Sequence, residues 1–500
     1  MKKIFEFMAL GALCALVSCD LDLYPLTGFN EGNVTVEGSS TESQYTTRAD
    51  MEGLRSSLYD SWIKDIQEKG YNDWLIIAEC RADNAYCGTS TVEIMNIEAN
   101  KCDADNPNNE RDWNWYLGQV SNANNIIVNI DAVREADPTL TESEANQWKA
   151  EAMIWRAWNW QRLAQCWGNI PMVTTIPPAI TADNIEEVYE EYFPAPTSAG
   201  DVYAKVIEDL DYACQWAPDV DASDKHYLTK AVAHGILARM YAEDTETRDW
   251  SKVVEHCAAI EGMGFELCDN YGDLWAYDDS DAVRDTKESI WEIHWTKSSG
   301  NWFWMMFHRN AYDPDNSWSW AKWVTPSRNI IAAYDAAGDT ERKNASIIYD
   351  ECTWSNYYPS NNYAFMHKVP TNASSTLLMR LGEIYLLHAE GLAGQGDLSG
   401  ATAYVNKTRA RAGLAPISVP VSYDAMVDAI LDERRLELAF EGFRFYDLVR
   451  YGKAKEVHDS MNAEDSYWQT RQPLTDTDVL FPIPQSELDK NPNLVQNPGY

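Results

Sequence analysis

The segment 141–167 constrains this chain more than any other. Met153, Ala157, Trp160, Ala164 and Trp167 recur at helical spacing and form one apolar stripe. Trp148, Ala152 and Trp155 form a second stripe. A helix that is apolar on two faces must be covered on two sides, as an inner helix of a stacked array is. Helical periodicity also predicts Arg48–Lys69, Asp112–Ala136 opening on an Asp cap, and helices near 201–217, 229–243 and 249–262. After a gap it returns at Thr376–Ala393, stops at Gly394-Gln395-Gly396, restarts behind Asp397 and ends at Gly413. That helix–turn–helix unit is close to the roughly 34-residue tetratricopeptide length. Tyr423–Glu441 follows, stopped by Gly442. Helix pairs with short turns on both sides of a loop-rich stretch suggest one superhelical scaffold. Residues 47–263 are read as an N-terminal scaffold and 264–375 as a loop-rich, aromatic-rich insert. Residues 376–500 are read as a C-terminal helical region whose tail, from Phe481, lies extended over the body.

The first residues have a different character. Lys2 and Lys3 precede an apolar run from Phe7 to Val17, far short of the roughly 20 residues that span a bilayer. The run meets Leu16-Val17-Ser18-Cys19, which resembles a bacterial lipoprotein cleavage site. The expectation is a signal peptide over 1–18, lipidation at Cys19 and an extended leader over 19–46, leaving the protein membrane-bound through its lipid. An ordinary signal peptide that happens to contain a cysteine is the alternative. Eight later cysteines show no C-x-x-C spacing, so they are read as buried free thiols, with 80–102 left open to pairing. The formal charge of −38 repels phosphate backbones and argues against a nucleic-acid partner.

Catalytic and metal signatures are missing. The chain has no G-x-S-x-G, H-E-x-x-H, G-x-x-x-x-G-K-[ST] or G-x-G-x-x-G. Asp273, Asp278, Asp279 and Asp281, like Asp103 and Asp105, lack the EF-hand pattern and are read as solvated loops. No catalytic residue, metal or cofactor is expected. Glu433, Arg434, Arg435, Glu437, Glu441, Arg444, Asp447 and Arg450 mix charges at helical spacing. An ion-pair network tying the last helix to the scaffold accounts for them better than a catalytic site. His388 is read as a satisfied core residue. The functional signal is aromatic: residues 291–323 hold seven tryptophans, where an even spread of 21 over 500 residues would place about 1.4. Trp291 and Trp295 alternate in a strand-like run and are assigned to the core. Trp302, Trp304, Trp318, Trp320 and Trp323 lie among Gly, Asn, Ser and Asp. Two roles fit them, a ligand platform or a satellite core beneath a loop.

Segments along the whole chain resemble the SusD/RagB family of Bacteroidetes surface lipoproteins. They include Cys19-Asp20-Leu21-Asp22-Leu23-Tyr24-Pro25, Tyr71-Asn72-Asp73-Trp74 with Glu79, Arg81, Asp83 and Asn84, and Trp155-Arg156-Ala157-Trp158 through Trp167-Gly168-Asn169-Ile170-Pro171. Later come Arg380 to Glu390, Glu433 to Gly442 with Arg444, Asp447 and Arg450, and the ending Phe481-Pro482-Ile483-Pro484 to Gly499-Tyr500. The resemblance implies a mainly α fold, a tetratricopeptide-like helix-pair superhelix with a loop-rich, aromatic-rich insert and minor β, and a non-catalytic nutrient-binding lipoprotein on the outer membrane, at the cell surface. It would capture glycans and deliver them to a SusC-like TonB-dependent transporter. Peptide capture of the RagB kind, or a secreted glycan hydrolase, are the alternatives. By region rather than by motif, the resemblance points to Trp302, Trp304, Trp318 and Trp320 as ligand-facing. Tyr312 and Asn316 stand beside them, and Tyr86 comes from the first loop. Trp323, closest to Thr325-Pro326-Ser327, is set apart from the ligand residues.

Overall fold

A computed structural model describes residues 45–500 except 90, 179–183, 185, 279–280, 308–322, 353–356 and 470. Its centre is the predicted inner helix, here α3 (Glu142–Trp167), flanked by α2 (Pro107–Ala136) and α4 (Ala199–Trp216). Thr141 and Glu144 close a reciprocal capping box at its start, and Gly168 at φ 71° ends it. Trp155, Trp158, Trp160 and Trp167 are fully buried, and Trp148 nearly so, as the two stripes require.

The stack continues outward in sequence order. Helix α1 (Arg48–Asp65) lies on α2, α5 (Lys230–Ala242) on α4, and α6 (Trp250–Glu261) on α5. The insert then leaves the stack. It contributes α7 (Arg328–Ala337) and α8 (Thr340–Ser346) before α9 (Leu381–Gly394), α10 (Leu398–Arg411) and α11 (Tyr423–Glu437) resume the pairs. Helix α6 packs directly on α9, so the superhelix is continuous although residues 262–380 separate the two helices in sequence. Among the described residues no helix is long and apolar enough to cross a membrane.

Several boundaries differ from expectation for identifiable reasons. Helix α2 begins earlier because Asn106 caps it, accepting from the N–H groups of Asn108 and Asn109, with Pro107 in the first turn. Asp112 is buried inside that helix rather than capping it. Helix α1 stops at Asp65 and passes into π-helical turns at Gln67–Asp73 and Ile76–Cys80. The apolar start of the expected helix at Thr376 is instead a strand, β8 (Thr376–Arg380), antiparallel to β4 (Ser289–Ile293). A short apolar run has no period of its own, and pairing decided its structure. Helix α11 ends at Glu437, before Phe440 turns to φ 65°. Within the insert, α7 is capped by the Ser327 side chain and stopped by Gly338 at φ 67°.

The remaining pairs are β1 (Ala85–Tyr86) with β5 (Thr325–Pro326), β2 (Ile170–Pro171) with β3 (Pro196–Thr197), and β6 (Ile347–Asp350) with β7 (Tyr363–Met366). All eight cysteines from Cys80 to Cys352 are free thiols, those of 80–102 included; seven are buried and Cys214 partly so. The tail is pinned to α3 where Asn497 Nδ2 donates to the Trp167 and Phe481 carbonyls at 2.9 and 2.7 Å.

Candidate ligand-binding surface

The two loops that the sequence pairs as ligand-facing are sewn together. In the β1–β5 ladder Ala85 faces Pro326 and Tyr86 faces Thr325. The Ser327 hydroxyl donates to the Asp83 carbonyl at 2.7 Å, and the Gly88 N–H donates to the Trp323 carbonyl at 3.3 Å. Trp323 in turn donates its N–H to the Met306 carbonyl at 2.7 Å, which brings in a 3₁₀ turn over Phe303–Met306.

That turn sorts its side chains. Phe303 and Met306 are buried, whereas Trp302 and Trp304 are half-buried and lean on the main core. Their backbones are fixed: the Trp302 N–H donates to Gln67 Oε1 at 2.8 Å and the Trp304 N–H to Asn301 Oδ1 at 3.1 Å. Asn301 is itself buried and donates to the Ser374 carbonyl at 2.8 Å. Trp302 and Trp304 therefore combine core contact with a solvent-facing part. Trp318, Trp320, Tyr312 and Asn316 lie outside the described residues, as does Cys19.

Tyr86 departs from the expectation. Its relative exposure is 0%, so it does not itself present a face to solvent. It stacks on Tyr357 at 5.0 Å and 11°, and Trp468 covers it at 5.2 Å. Its hydroxyl donates to Asp465 and accepts from the Arg328 N–H and Nη1 at 3.0 and 3.1 Å. Burial and the Asp465 contact push the phenol up from its ordinary pKa. The outward layer of this cluster is Arg328 and Tyr467, both exposed. The Arg328 guanidinium sits 4.7 Å from the Tyr358 ring and 4.5 Å from the Tyr467 ring. The adjacent aromatic pairs Tyr357-Tyr358 and Tyr467-Trp468 were the sequence signal for this surface, and sequence reasoning passed over it.

The charged series of the last helices is an ion-pair network. Glu437 receives Arg380 Nη1 at 2.6 Å, Arg342 Nη1 at 2.9 Å and also Arg411. Arg380 reaches Glu288 and Glu441 as well, both at 2.8 Å. Arg434 and Arg450 hold Asp447 at 2.8 and 2.7 Å. Arg444 grips Asp83 with two bonds of 2.8 and 2.9 Å, binding the last helices to the first loop. Burial alone would raise the Asp83 pKa, but Arg435 and Arg444 outweigh it and hold the carboxyl well below the usual range. Burial pushes the Lys368 ammonium down to about 8 against the pull of Glu441, 2.5 Å away. His388 is a satisfied core residue, its Nδ1 2.6 Å from Glu261 and its ring stacked on Tyr404.

A helix-pair scaffold whose insert and first loop join into an aromatic surface defines a scaffold-and-loop class of protein. The comparisons with known proteins name the family. Residues 356–500 match the model described as the SusD family, and residues 37–242 match one described as starch-binding associating with outer membrane. The two matches together span most of the chain, and the protein is SusD-like. It is similar to SusD-like protein P2 of Formosa agariphila, 26% identical over 437 residues that cover 78% of this chain and 80% of the relative. A SusD superfamily protein of Bacteroides vulgatus shares the fold at a TM-score of 0.75 and 18% identity, over 92% of this chain and 100% of that one. A laminarin-binding SusD-like protein shares it at 0.71 and 22% identity, over 91% and 100%.

Proposed function

We propose that this protein is a non-catalytic glycan-capturing lipoprotein of the outer membrane. It is anchored through Cys19, displayed at the cell surface and partnered with a SusC-like TonB-dependent transporter that takes the glycan onward. The observation that carries the reading is the junction of the 82–88 loop with 302–306 and 323–328. It sets half-buried Trp302 and Trp304, and the Arg328–Tyr467 layer, on the helical scaffold. Flat aromatic faces suit the apolar C–H face of a sugar, and neighbouring polar groups suit its hydroxyls. The laminarin-binding protein of the same fold supports the glycan class. The commitment of Glu433, Glu437 and Glu441 to guanidinium partners supports a structural rather than a general-acid role for them.

Purified residues 20–500 should retard on gels containing laminarin or starch, and should release no reducing ends from either. Turnover abolished by changing one carboxylate would overturn the non-catalytic reading. Binding to a peptide pool and to no polysaccharide would replace the glycan by a peptide. Pull-down through a tag at residue 500 in mild detergent should recover a large β-barrel protein; recovery of the lipoprotein alone would count against the transporter.

A further inference from the structure

Three segments converge at the start of the insert. They are the α4–α5 loop with Asp224, a turn with Asp285, and the end of β4 with Glu292 and His294. The ligand-capable atoms of Asp224, Asp285 and His294 lie within 4.8 Å of one another. His294 Nε2 is 3.0 Å from Asp285 Oδ1 and 3.3 Å from Glu292 Oε1, and Nδ1 is 3.8 Å from Asp224 Oδ1. Ligands about 2.0–2.1 Å from a tetrahedral metal stand roughly 3.3 Å apart, so the separation of Nε2 from Asp285 already matches such a site. Only one imidazole nitrogen binds a given ion, so with Nε2 as the ligand the half-exposed Asp224 must swing round from the Nδ1 edge to complete the set.

The surroundings hold this arrangement in place. Asp285 adopts φ 53°, in the left-handed region that side chains seldom occupy. Its Oδ1 accepts the Lys225 N–H at 2.7 Å, which fixes the direction of the carboxylate. Glu292 is buried and takes a further bond of 3.3 Å from the Ser289 hydroxyl. Charge points the same way. Three carboxylates face one imidazole and the Lys225 ammonium, whose Nζ lies on the Ser289 carbonyl. The nearby Arg284 is engaged with Asp281. With a neutral imidazole the cluster is left two negative charges in excess, which one divalent cation balances.

We propose that Asp224, Asp285 and His294 form a site for a divalent transition metal of the zinc class. The imidazole selects such an ion over calcium or magnesium, which prefer all-oxygen shells. Asp224 is the most exposed ligand and marks the entry path. A metal held there would clamp the α4–α5 loop of the scaffold to the sheet that opens the insert. The proposal does not depend on what the aromatic surface binds.

The test is zinc titration calorimetry on chelator-treated residues 20–500, with cobalt(II) absorption as a reporter of ligand geometry. About one equivalent of Zn²⁺ should bind, excess Mg²⁺ should not displace it, and the melting temperature should rise. His294→Gln and Asp224→Asn should each weaken binding by about tenfold or more. Absence of zinc uptake by the unaltered chain overturns the site, since a protonated His294 paired with carboxylates then accounts for the cluster. Undiminished binding in a folded His294→Gln protein overturns it too. If His294→Gln does not fold, the exposed-loop variant Asp224→Asn decides, and undiminished binding there has the same meaning. The rival zinc locus is His234 and His256, whose Nδ1 atoms are 2.9 Å apart with Cys214 Sγ 3.5 Å from His234. Loss of binding in His256→Gln but not in the other two variants would also overturn the proposal.

Discussion

Arg380 and Glu437 meet at 2.6 Å with both side chains almost wholly removed from water. The pair joins the end of β8 to the end of α11, and Arg342 and Arg411 complete a ring of guanidinium groups on the one carboxylate. Burial would raise the Glu437 pKa, but Arg411, Arg380 and Arg342 outweigh it and hold the group well below the usual range. Glu437→Gln leaves three buried cations short of a partner and should cost about 3–5 kcal/mol at neutral pH. With the folded pKa depressed, the stabilisation is complete above the unfolded glutamate value of about 4.3 and is lost as pH falls below it. Urea unfolding at pH 7 and at pH 3.5 should therefore show a difference between the two proteins that narrows in acid. A constant difference would refute the linkage.

Gly442 is a second point where the C-terminal region locks onto the N-terminal scaffold, here at Trp74 between the two π-helical turns. It has φ 85°, and a Cβ there would sit 2.5 Å from the Trp74 ring, whose Nε1 donates to the Gly442 carbonyl at 2.8 Å. The indole cannot retreat, because Tyr446 stacks on it at 4.9 Å and Arg162 lies 3.4 Å from its ring centre. Gly442→Ala should cost about 3 kcal/mol or more through strain and overpacking together. Gly396 has φ 88° with open space around it, so Gly396→Ala should cost only the backbone term of about 1–2 kcal/mol. Equal losses in denaturant midpoints would disprove the steric part.

The sequence announces what repeats locally and conceals what is paired across the chain. The two stripes of α3 were legible because a helix with tryptophan on both faces has few alternatives. The charge series from Glu433 to Arg450 was legible as a network, but its partners Asp83, Glu288, Arg342 and Arg380 were not, since nothing local marks them. Helix α7 carried its Ser327 cap and Gly338 stop, yet the loop-like composition around it hid both. The surface loops were harder still. Aromatic density near 302–323 marks a loop worth attention, but Tyr86 and Tyr467 are the same residue type, and their burial is decided by which segments fold over them.

Histidine burial sets a different pH window. Burial first, and then the neighbouring His234, lower the His256 pKa to about 4, against an unfolded value of about 6.5. The unfolded chain takes up the proton first, so stability should fall as pH drops from about 6.5 toward 4. His256→Phe retains the stack on Tyr241 and removes the titration. Its melting temperature should vary less between pH 7 and pH 4.5 than that of the unaltered protein. Parallel curves would show that other groups, such as His458, also lowered to about 4 by burial, carry the effect.

The anchor has its own test. Cys19→Ala should move the protein from the membrane fraction to the soluble one. Retention on membranes through a high-salt wash would place the anchor elsewhere, because salt screens charge attraction but does not extract acyl chains.

The aromatic surface is tested by separating binding from folding. Trp160 is fully buried in α3 with Arg156 4.7 Å from its ring, so Trp160→Ala should cost about 3–5 kcal/mol of stability. Trp302 and Trp304 are only half-buried, and their backbone N–H bonds do not depend on the indole, so their alanine variants should remain folded. If either ring anchors a sugar, its loss should cost about 2 kcal/mol, near thirtyfold in affinity for laminarin or whichever glycan binds. Arg328→Gln and Tyr467→Ala probe the neighbouring layer in the same assay. A pattern in which Trp302→Ala and Trp304→Ala melt as early as Trp160→Ala would make the insert's tryptophans a satellite core. Normal melting with normal affinity in all four surface variants would move the binding site to another face of the scaffold.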